Sequence, residues 1–460
     1  MSARGSSREA GGPPGLAARR AAQNILSDVL RKKRPLDAAV ADALNRAQLS
    51  PRDAGFARTI AATSLRRFGQ LEALIRNFVP KAPPPHKAGP TLEILIAGAC
   101  ELLFLNVAPH AAVDGANRLA QGDAKAVHFK ALINAVLRRI AREGASITAK
   151  QDETVLNTPD WLWARWVESY GESTARAIAA AHLEIPPLDL TFKGPLPLPP
   201  PARGGEAPYD PYTEFQNAEM LAPGRLRLKD AGRIEELPGY QEGRWWVQDF
   251  AASLPMRLLG DVAGKRVIDL CAAPGGKTAQ LAAQGGLVTA VDVAPDRLAL
   301  VRENLERLHL SAELVTADAR DWRPEETAPF VLLDAPCMAT GTIRRHPDLP
   351  WLKTAADLQI TESLQSELLD AAAEMTAPLG TLVYAVCSLE PEEAELQVEA
   401  FLRRNKDFVR VPITVADVLE PQFVSAKGDL TTLPCFWPGK GGMDGFYAAR
   451  LRNYSSRPSA

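Results

Sequence analysis

The 460-residue sequence predicts a multidomain protein in which an all-α N-terminal domain precedes a C-terminal α/β domain. Three observations predict this fold class. The chain is too long for one ordinary hydrophobic core. Apolar residues recur at three- and four-residue spacing through the first third, as Leu26, Val29 and Leu30 do, which is typical of amphipathic helices. From about residue 246, short β-rich runs alternate with helical stretches, which is typical of a mostly parallel sheet.

The pattern of apolar residues and prolines divides the chain into five parts. We expect a disordered tail over 1–15, a helical domain over 16–145, a connector with a small α/β subdomain over 146–245, the α/β domain over 246–453, and a tail over 454–460. Prolines punctuate the helices of the helical domain, because proline removes a backbone donor and ends helices.

The α/β domain is predicted to form a Rossmann-like, doubly wound sheet, whose ligands bind beyond the carboxyl ends of the strands. Its predicted strands are 266–270, 287–292, 330–334 and 380–386, and two of its predicted helices are 294–309 and 358–377.

Charge is unevenly distributed along the chain. Residues 1–150 hold 23 Lys+Arg and 11 Asp+Glu, a net charge of +12, whereas the whole chain has a net charge of -2. The remainder therefore carries -14. A basic first third indicates that this part binds a polyanion such as nucleic acid, although a basic helical domain can also be merely soluble.

The cysteines and the hydropathy pattern exclude several classes of protein. The five cysteines lie far apart without a CxxC pair, so we expect neither a metal site nor a disulfide framework, and a reducing, cytoplasmic setting. No apolar run reaches the length of a membrane span, and we expect no membrane partner.

The first predicted strand of the α/β domain ends in a loop of small residues, 271–278, before a helix. Small residues let the backbone pass close to a ligand, and the following helix offers free N–H groups. Neither a dinucleotide fingerprint nor a P-loop is present. Asp292, at the end of the second strand, can accept both ribose hydroxyls of an adenosine, and Asp318 would lie by its amino group. An Asp at a strand end is often only a helix cap, but together these features indicate S-adenosylmethionine.

The segment Cys271–Lys277 (CAAPGGK) resembles the cofactor motif of the RNA cytosine-C5 methyltransferases of the RsmB/NOP family. The resemblance implies that Cys271 is a small loop residue and not a nucleophile. It also implies that the cofactor is bound by Cys271, Ala272, Ala273, Pro274, Gly275, Gly276, Lys277, Asp292, Asp318 and Asp334.

Methylation of cytosine C5 requires an activated ring, because C5 is a poor nucleophile until a thiolate adds to C6. Two segments at predicted strand ends, 334–342 and 385–393, resemble the two-cysteine motifs of the same family. The resemblance implies that Cys387 is the nucleophile, that Cys337 assists release of the product, and that Asp334 hydrogen-bonds N3 and the exocyclic amine of the base. A buried cysteine is usually inert, which describes Cys100 in its apolar helix. Lys277 is a further candidate contact to the base or its phosphate.

Two neighbours of the catalytic cysteines depart from the family pattern. Met338 stands where the family often has Ser, and Val386 stands where it often has Thr. Neither is a catalytic group, so we expect the chemistry to be retained.

Segments of the basic first third, among them 19–22, 53–58 and 130–139, resemble the NusB-like RNA-binding domain. A NusB-like domain ahead of this α/β domain is the layout of the bacterial 16S ribosomal RNA cytosine-C5 methyltransferases, which implies small-subunit ribosomal RNA as partner. The basic run Arg344, Arg345 and His346 follows the Cys337 loop and could contact phosphates. We expect a monomer.

Three alternatives stay open at this point: the same chemistry on transfer RNA or another RNA, a non-catalytic RNA-binding or antitermination factor, and a small-molecule methyltransferase. The last would leave the basic domain without a purpose.

Overall fold

The structure, a computed structural model, describes residues 15–81, 83–194, 214–215, 218–229 and 231–455. The predicted tails therefore lie almost wholly outside the described residues. Two compact units divide the chain. One contains Met1–Ala164 with His346–Lys353, and the other contains Arg165–Arg345 with Thr354–Ala460.

The helices of the described residues confirm the all-α character of the N-terminal domain, since no strand is found among the described residues before 188. In chain order the helices are α1 (Leu16–Leu30), α2 (Leu36–Ala47), α3 (Pro51–Arg66), α4 (Phe68–Phe78), α5 (Pro85–Ala88), α6 (Thr91–Leu103), α7 (Pro109–Gln121), α8 (Lys130–Thr148), α9 (Glu153–Leu156), α10 (Asp160–Tyr170), α11 (Glu172–Leu183), α12 (Leu254–Arg257), α13 (Gly276–Ala283), α14 (Pro295–Arg307), α15 (Leu349–Leu352), α16 (Ala355–Met375), α17 (Glu395–Arg404) and α18 (Val415–Val418).

The helical unit packs around one apolar core. Ile25 of α1, Ile60 of α3, Ile94 of α6 and Leu137 of α8 are all buried in it. Such burial contributes about 1.5–3 kcal/mol for each large side chain. The start of α3 shows how the sequence sets a helix end: the Ser50 hydroxyl accepts the backbone N–H of Asp53 at 3.2 Å.

The segment His346–Lys353, which contains α15, belongs to the helical unit although it follows the α/β strands in sequence. Trp351 donates its indole N–H to the carbonyl of Leu65 at 2.9 Å, and Asp348 accepts the backbone N–H of Leu36 at 2.8 Å. The end of the predicted basic run is therefore a part of this unit.

The strands form two sheets. They are β1 (Leu188–Phe192), β2 (Glu219–Ala222), β3 (Arg225–Leu228), β4 (Trp245–Val247), β5 (Arg266–Leu270), β6 (Leu287–Asp292), β7 (Glu313–Thr316), β8 (Ala328–Asp334), β9 (Thr376–Val386), β10 (Phe408–Arg410), β11 (Leu430–Thr432) and β12 (Phe446–Asn453). The first sheet has the order β2-β3-β1-β4 and is antiparallel.

The second sheet is the predicted mostly parallel sheet, in the order β10-β12-β9-β8-β5-β6-β7, with β11 beside β12. Strands β5 to β9 run parallel, and β10, β11 and β12 form an antiparallel edge. Both faces are covered: Val331 and Leu333 of β8 pack in one core with α16, and Leu332 between them packs in another. Burial on both faces explains why these strands are continuous apolar runs in the sequence.

Candidate active site

The loop from β5 to α13 lies at the carboxyl edge of the parallel sheet. Gly275 has a φ of 96°, a conformation that L side chains rarely adopt, and a Cβ there would lie 3.0 Å from Val301. The backbone N–H of Ala273 donates to the Asp292 carboxylate at 3.0 Å. The loop therefore lies against the end of β6, with the first turn of α13 directed at the same edge.

Three predicted carboxylates lie at or just after the ends of β6, β7 and β8. Asp292 ends β6 and is 3% exposed. Asp318 follows β7, is partly exposed, and binds the guanidinium of Arg320 at 2.7 Å. Asp334 ends β8 and accepts the ammonium of Lys277 at 2.7 Å. The parallel order of β8, β5, β6 and β7 thus brings the residues predicted from separate motifs to one edge.

Asp269 is a fourth carboxylate at this edge, to which the sequence analysis assigned no role. It is 0% exposed and accepts the Thr278 hydroxyl at 2.6 Å. Burial raises the pKa of Asp269 to about 7, because the charged form loses its hydration.

The raised pKa of Asp269 makes stability depend on pH. The folded state binds the proton more tightly than the unfolded state, whose carboxyl has a pKa of 3.8, so this contribution is fully present below that value and is lost as the pH rises through about 7. We expect the free energy of unfolding of the wild type, relative to Asp269→Asn, to fall by roughly 3 kcal/mol between about pH 5 and about pH 8.5. Denaturant unfolding at both pH values measures this difference. An unchanged difference would contradict it.

Cys337 and Cys387 lie side by side, with their sulfurs 3.5 Å apart. Cys387 directly follows β9 and Cys337 lies three residues after β8, its neighbour in the sheet. A backbone hydrogen bond joins the two loops: Gly341 donates its N–H to the carbonyl of Cys387 at 3.0 Å. A Cβ on Gly341 would meet the Gly445 carbonyl at 2.1 Å, so a glycine is required there.

The surroundings distinguish the cysteines from one another. The hydrogen bond to Cys387 and burial raise the pKa of the Cys337 thiol well above its ordinary value, and the charge of Glu393 adds to the effect. These surroundings favour the protonated form of the Cys337 thiol. Burial also raises the pKa of the Cys271 thiol, and it raises the pKa of the Cys100 thiol to about 12. Both shifts are consistent with inert thiols.

The two departures from the family pattern are buried side chains. Met338 and Val386 are both 0% exposed, and Val386 packs in the core beneath β9. The Val386 side chain fills apolar space there.

Two residues of the basic run, Arg344 and Arg345, form ion pairs that the local sequence does not predict. Arg344, with a side chain 2% exposed, lies 3.2 Å from the carboxylate of Asp444. Arg345 lies 2.6 Å from Asp249 and 3.0 Å from Asp444. Contact of this run with RNA stays a prediction, and the burial of Arg344 gives that residue a structural role. His346 is partly exposed in the helical unit.

Sequence reasoning also missed Glu393, a buried carboxylate beside Cys337. Its oxygens accept the backbone N–H of Met338 at 3.1 and 3.0 Å. The signal was present in the segment 385–393, whose glutamates received no role.

In the described part of the chain, no group of His, Cys, Asp or Glu side chains is arranged to hold a metal ion, and no helix there is long and apolar enough to cross a membrane.

Comparison with known proteins matches both units to families. The protein-family model described as 16S rRNA methyltransferase RsmB/F matches residues 256–452. The family model described as NusB family matches residues 16–142. Two relatives are each named Ribosomal RNA small subunit methyltransferase B. The one from Vibrio cholerae is 35% identical over 88% of this chain and 90% of its own length, and the one from Pasteurella multocida is 34% identical over 96% and 97%. A solved structure, that of PH0851, has the same fold, with a TM-score of 0.74 and 22% identity over 96% of this chain and 100% of that one.

Proposed function

The chain belongs to the family of ribosomal RNA small subunit methyltransferase B, and from this membership we propose that it transfers a methyl group from S-adenosylmethionine to C5 of a cytosine in 16S ribosomal RNA, through a covalent bond between Cys387 and C6. The observation that carries the proposal is the pair of sulfurs 3.5 Å apart at the sheet edge that also holds the CAAPGGK loop.

In the first step the Cys387 thiolate adds to C6, and N3 takes a proton from solvent. The ring becomes an enamine whose C5 can attack a methyl group. In this proposal Asp334, which accepts the ammonium of Lys277 at 2.7 Å, hydrogen-bonds N3 and the exocyclic amine. S-adenosylmethionine, when bound, would supply the methyl group as an electrophile, with its S–CH3 bond broken and S-adenosylhomocysteine as the leaving group.

Release of the product requires a base for the C5 proton, and Cys337 can provide it. Once Cys387 is bonded to C6 it is a neutral thioether, so the interaction with Cys387 that raised the pKa of Cys337 is reduced. Cys337 then gives its proton to solvent and takes the C5 proton. The electrons of the C5–H bond form the C5–C6 double bond, Cys387 leaves as a thiolate, and N3 gives up its proton. One proton is released in each turnover.

The residues at the sheet edge fit S-adenosylmethionine. Carboxylates at the ends of β6 and after β7 accept hydroxyl and amino donors, which a nucleoside presents. Gly275 and the first turn of α13 allow close approach of the backbone. Asp292, Asp318 and Asp334 would hold the cofactor together with the loop from Cys271 to Lys277.

Replacing Asp292 by Asn is expected to weaken binding of S-adenosylmethionine about tenfold to a hundredfold, because one charged hydrogen-bond acceptor is lost. Calorimetric titration measures this affinity. Asp296→Asn makes the same change at an exposed position of α14 and is expected to bind as the wild type does. Equal affinity of Asp292→Asn and wild type would contradict the assigned role.

RNA is the proposed partner of the basic N-terminal third. The target cytosine has to be unpaired or flipped out, because a thiolate cannot reach C6 in a stacked duplex. Contacts to phosphates make affinity fall with salt.

The test of the proposal is nucleoside analysis after incubation with methyl-labelled cofactor. Separate pools of unmodified 16S ribosomal RNA, large-subunit RNA and transfer RNA are compared. Labelled 5-methylcytidine in the 16S pool is the expected result. Label found only in transfer RNA would contradict 16S ribosomal RNA as the substrate. Label in a nucleoside other than 5-methylcytidine would contradict methylation at C5 of cytosine.

A further inference from the structure

Glu393 is a buried carboxylate next to the reacting sulfurs that the steps above do not use. It is 0% exposed, and both of its oxygens accept the backbone N–H of Met338, at 3.1 and 3.0 Å. Met338 directly follows Cys337. Glu393 therefore holds the peptide group on one side of the Cys337 side chain.

Gln365 of α16 holds the other side of Cys337. Its amide nitrogen donates to the carbonyl of Pro336 at 2.9 Å and to Glu393 at 2.9 Å. The residues before and after Cys337 are thus bonded to one Glu393–Gln365 pair. The Tyr384 hydroxyl donates to the backbone carbonyl of Glu393 at 2.6 Å, which ties this pair to β9.

Polar donors around Glu393 favour its charged form. Burial raises the pKa of the Glu393 carboxyl, and nearby donors, Ser388 first among them, oppose that effect by favouring the carboxylate. Hydrogen bonds from the Met338 amide at 3.0 Å and from Gln365 at 2.9 Å join this carboxylate to the Cys337 loop.

A comparison with Glu390 shows what is particular to Glu393. Glu390 is equally buried but pairs with the guanidinium of Arg165 at 2.5 Å. The partners of Glu393 are the backbone amide of Met338 and the neutral side-chain amide of Gln365. A buried carboxylate is expensive to maintain without a cation, so a purely structural role would be served better by an apolar residue.

We propose that Glu393 is a positioning residue for product release, which holds Cys337 where its sulfur can take the C5 proton while Cys387 is bonded to C6. The inference rests on the proposed function, since it assigns a residue to the release step. Loss of the hold misplaces Cys337 but leaves Cys387 and the cofactor loop intact. Attack and methyl transfer should then proceed, whereas release should slow.

The test is a covalent-trapping assay with Glu393→Gln, 16S ribosomal RNA and S-adenosylmethionine, with adducts separated on denaturing gels and product measured as 5-methylcytidine. We expect product turnover to fall about tenfold to a hundredfold and the adduct fraction to rise toward that of Cys337→Ala. Glu395→Gln removes the same charge two residues away, from an exposed pair with Lys427, and is expected to behave as the wild type does.

Two outcomes would overturn the inference. One is that Glu393→Gln turns over at the wild-type rate and forms no lasting adduct, and the other is that it loses both adduct and product while its cofactor affinity is unchanged. If Glu393→Gln no longer binds the cofactor, Glu393→Asp is judged by the same assay, because it keeps the charge but is too short to hold Met338. Failure of the proposed function is distinguishable, since wild type would then form no 5-methylcytidine and Cys337→Ala no adduct.

Discussion

Cys387→Ala is expected to abolish methyl transfer to 16S ribosomal RNA, lowering the rate by about 10⁴-fold or more. Without the thiolate at C6 the ring keeps its aromatic character, and C5 cannot attack the methyl group. Incorporation of labelled methyl groups into the RNA measures the rate. Binding of S-adenosylmethionine should be unchanged, because Cys387 lies on the loop after β9 and the cofactor loop follows β5.

Cys435→Ala is the matched control for this variant. Cys435 is a partly exposed free cysteine outside both motif segments. It is expected to retain the wild-type rate, so an effect specific to Cys387 is distinguished from the loss of any thiol. Retention of most of the activity by Cys387→Ala would contradict the covalent route.

Cys337→Ala is expected to form the covalent complex with RNA and to hold it, with turnover reduced about 10²- to 10⁴-fold. The thiol at this position is the proposed base for the C5 proton, and without it Cys387 cannot leave. Denaturing gels would show a protein–RNA band that needs both cofactor and Cys387. Rapid turnover of Cys337→Ala without such a band would show that Cys337 has no part in release. An adduct formed by Cys387→Ala would show that Cys337 is the nucleophile and Cys387 the residue that assists release.

Much of the α/β unit could be predicted from the sequence because its strands are buried on both faces. Strands β5 and β6 have the predicted bounds, and β8 and β9 begin before the predicted positions, at Ala328 and Thr376. Continuous apolar runs identify such strands, but their first residues are less apolar and resemble loops.

The distance between the two sulfurs could not be predicted from the sequence. It depends on the parallel pairing of β8 with β9, in which Asp334 lies opposite Ala385. The motif resemblance implied that Cys337 and Cys387 act together, and the structure supplies the 3.5 Å that makes a proton transfer near the reacting carbon feasible.

The basic run and Glu393 show where local sequence reasoning ends. Arg344 and Arg345 are typical of a solvated phosphate site, yet their carboxylate partners Asp249 and Asp444 come from distant segments. Glu393 is one of several glutamates in its segment, and only the fold shows that it contacts Met338. In each case the deciding partner is remote in sequence.

The most direct test of the covalent route is to locate the nucleotide on the trapped protein. Wild-type protein is incubated with S-adenosylmethionine and 16S ribosomal RNA that contains 5-fluorocytidine, whose C5 fluorine cannot be removed as a proton, so the adduct persists after methyl transfer. The complex is digested and its peptides are sequenced by mass spectrometry. We expect a methylated fluorocytidine nucleotide on the peptide that contains Cys387. The same nucleotide on the Cys337 peptide, or no peptide-bound nucleotide at all, would contradict the account.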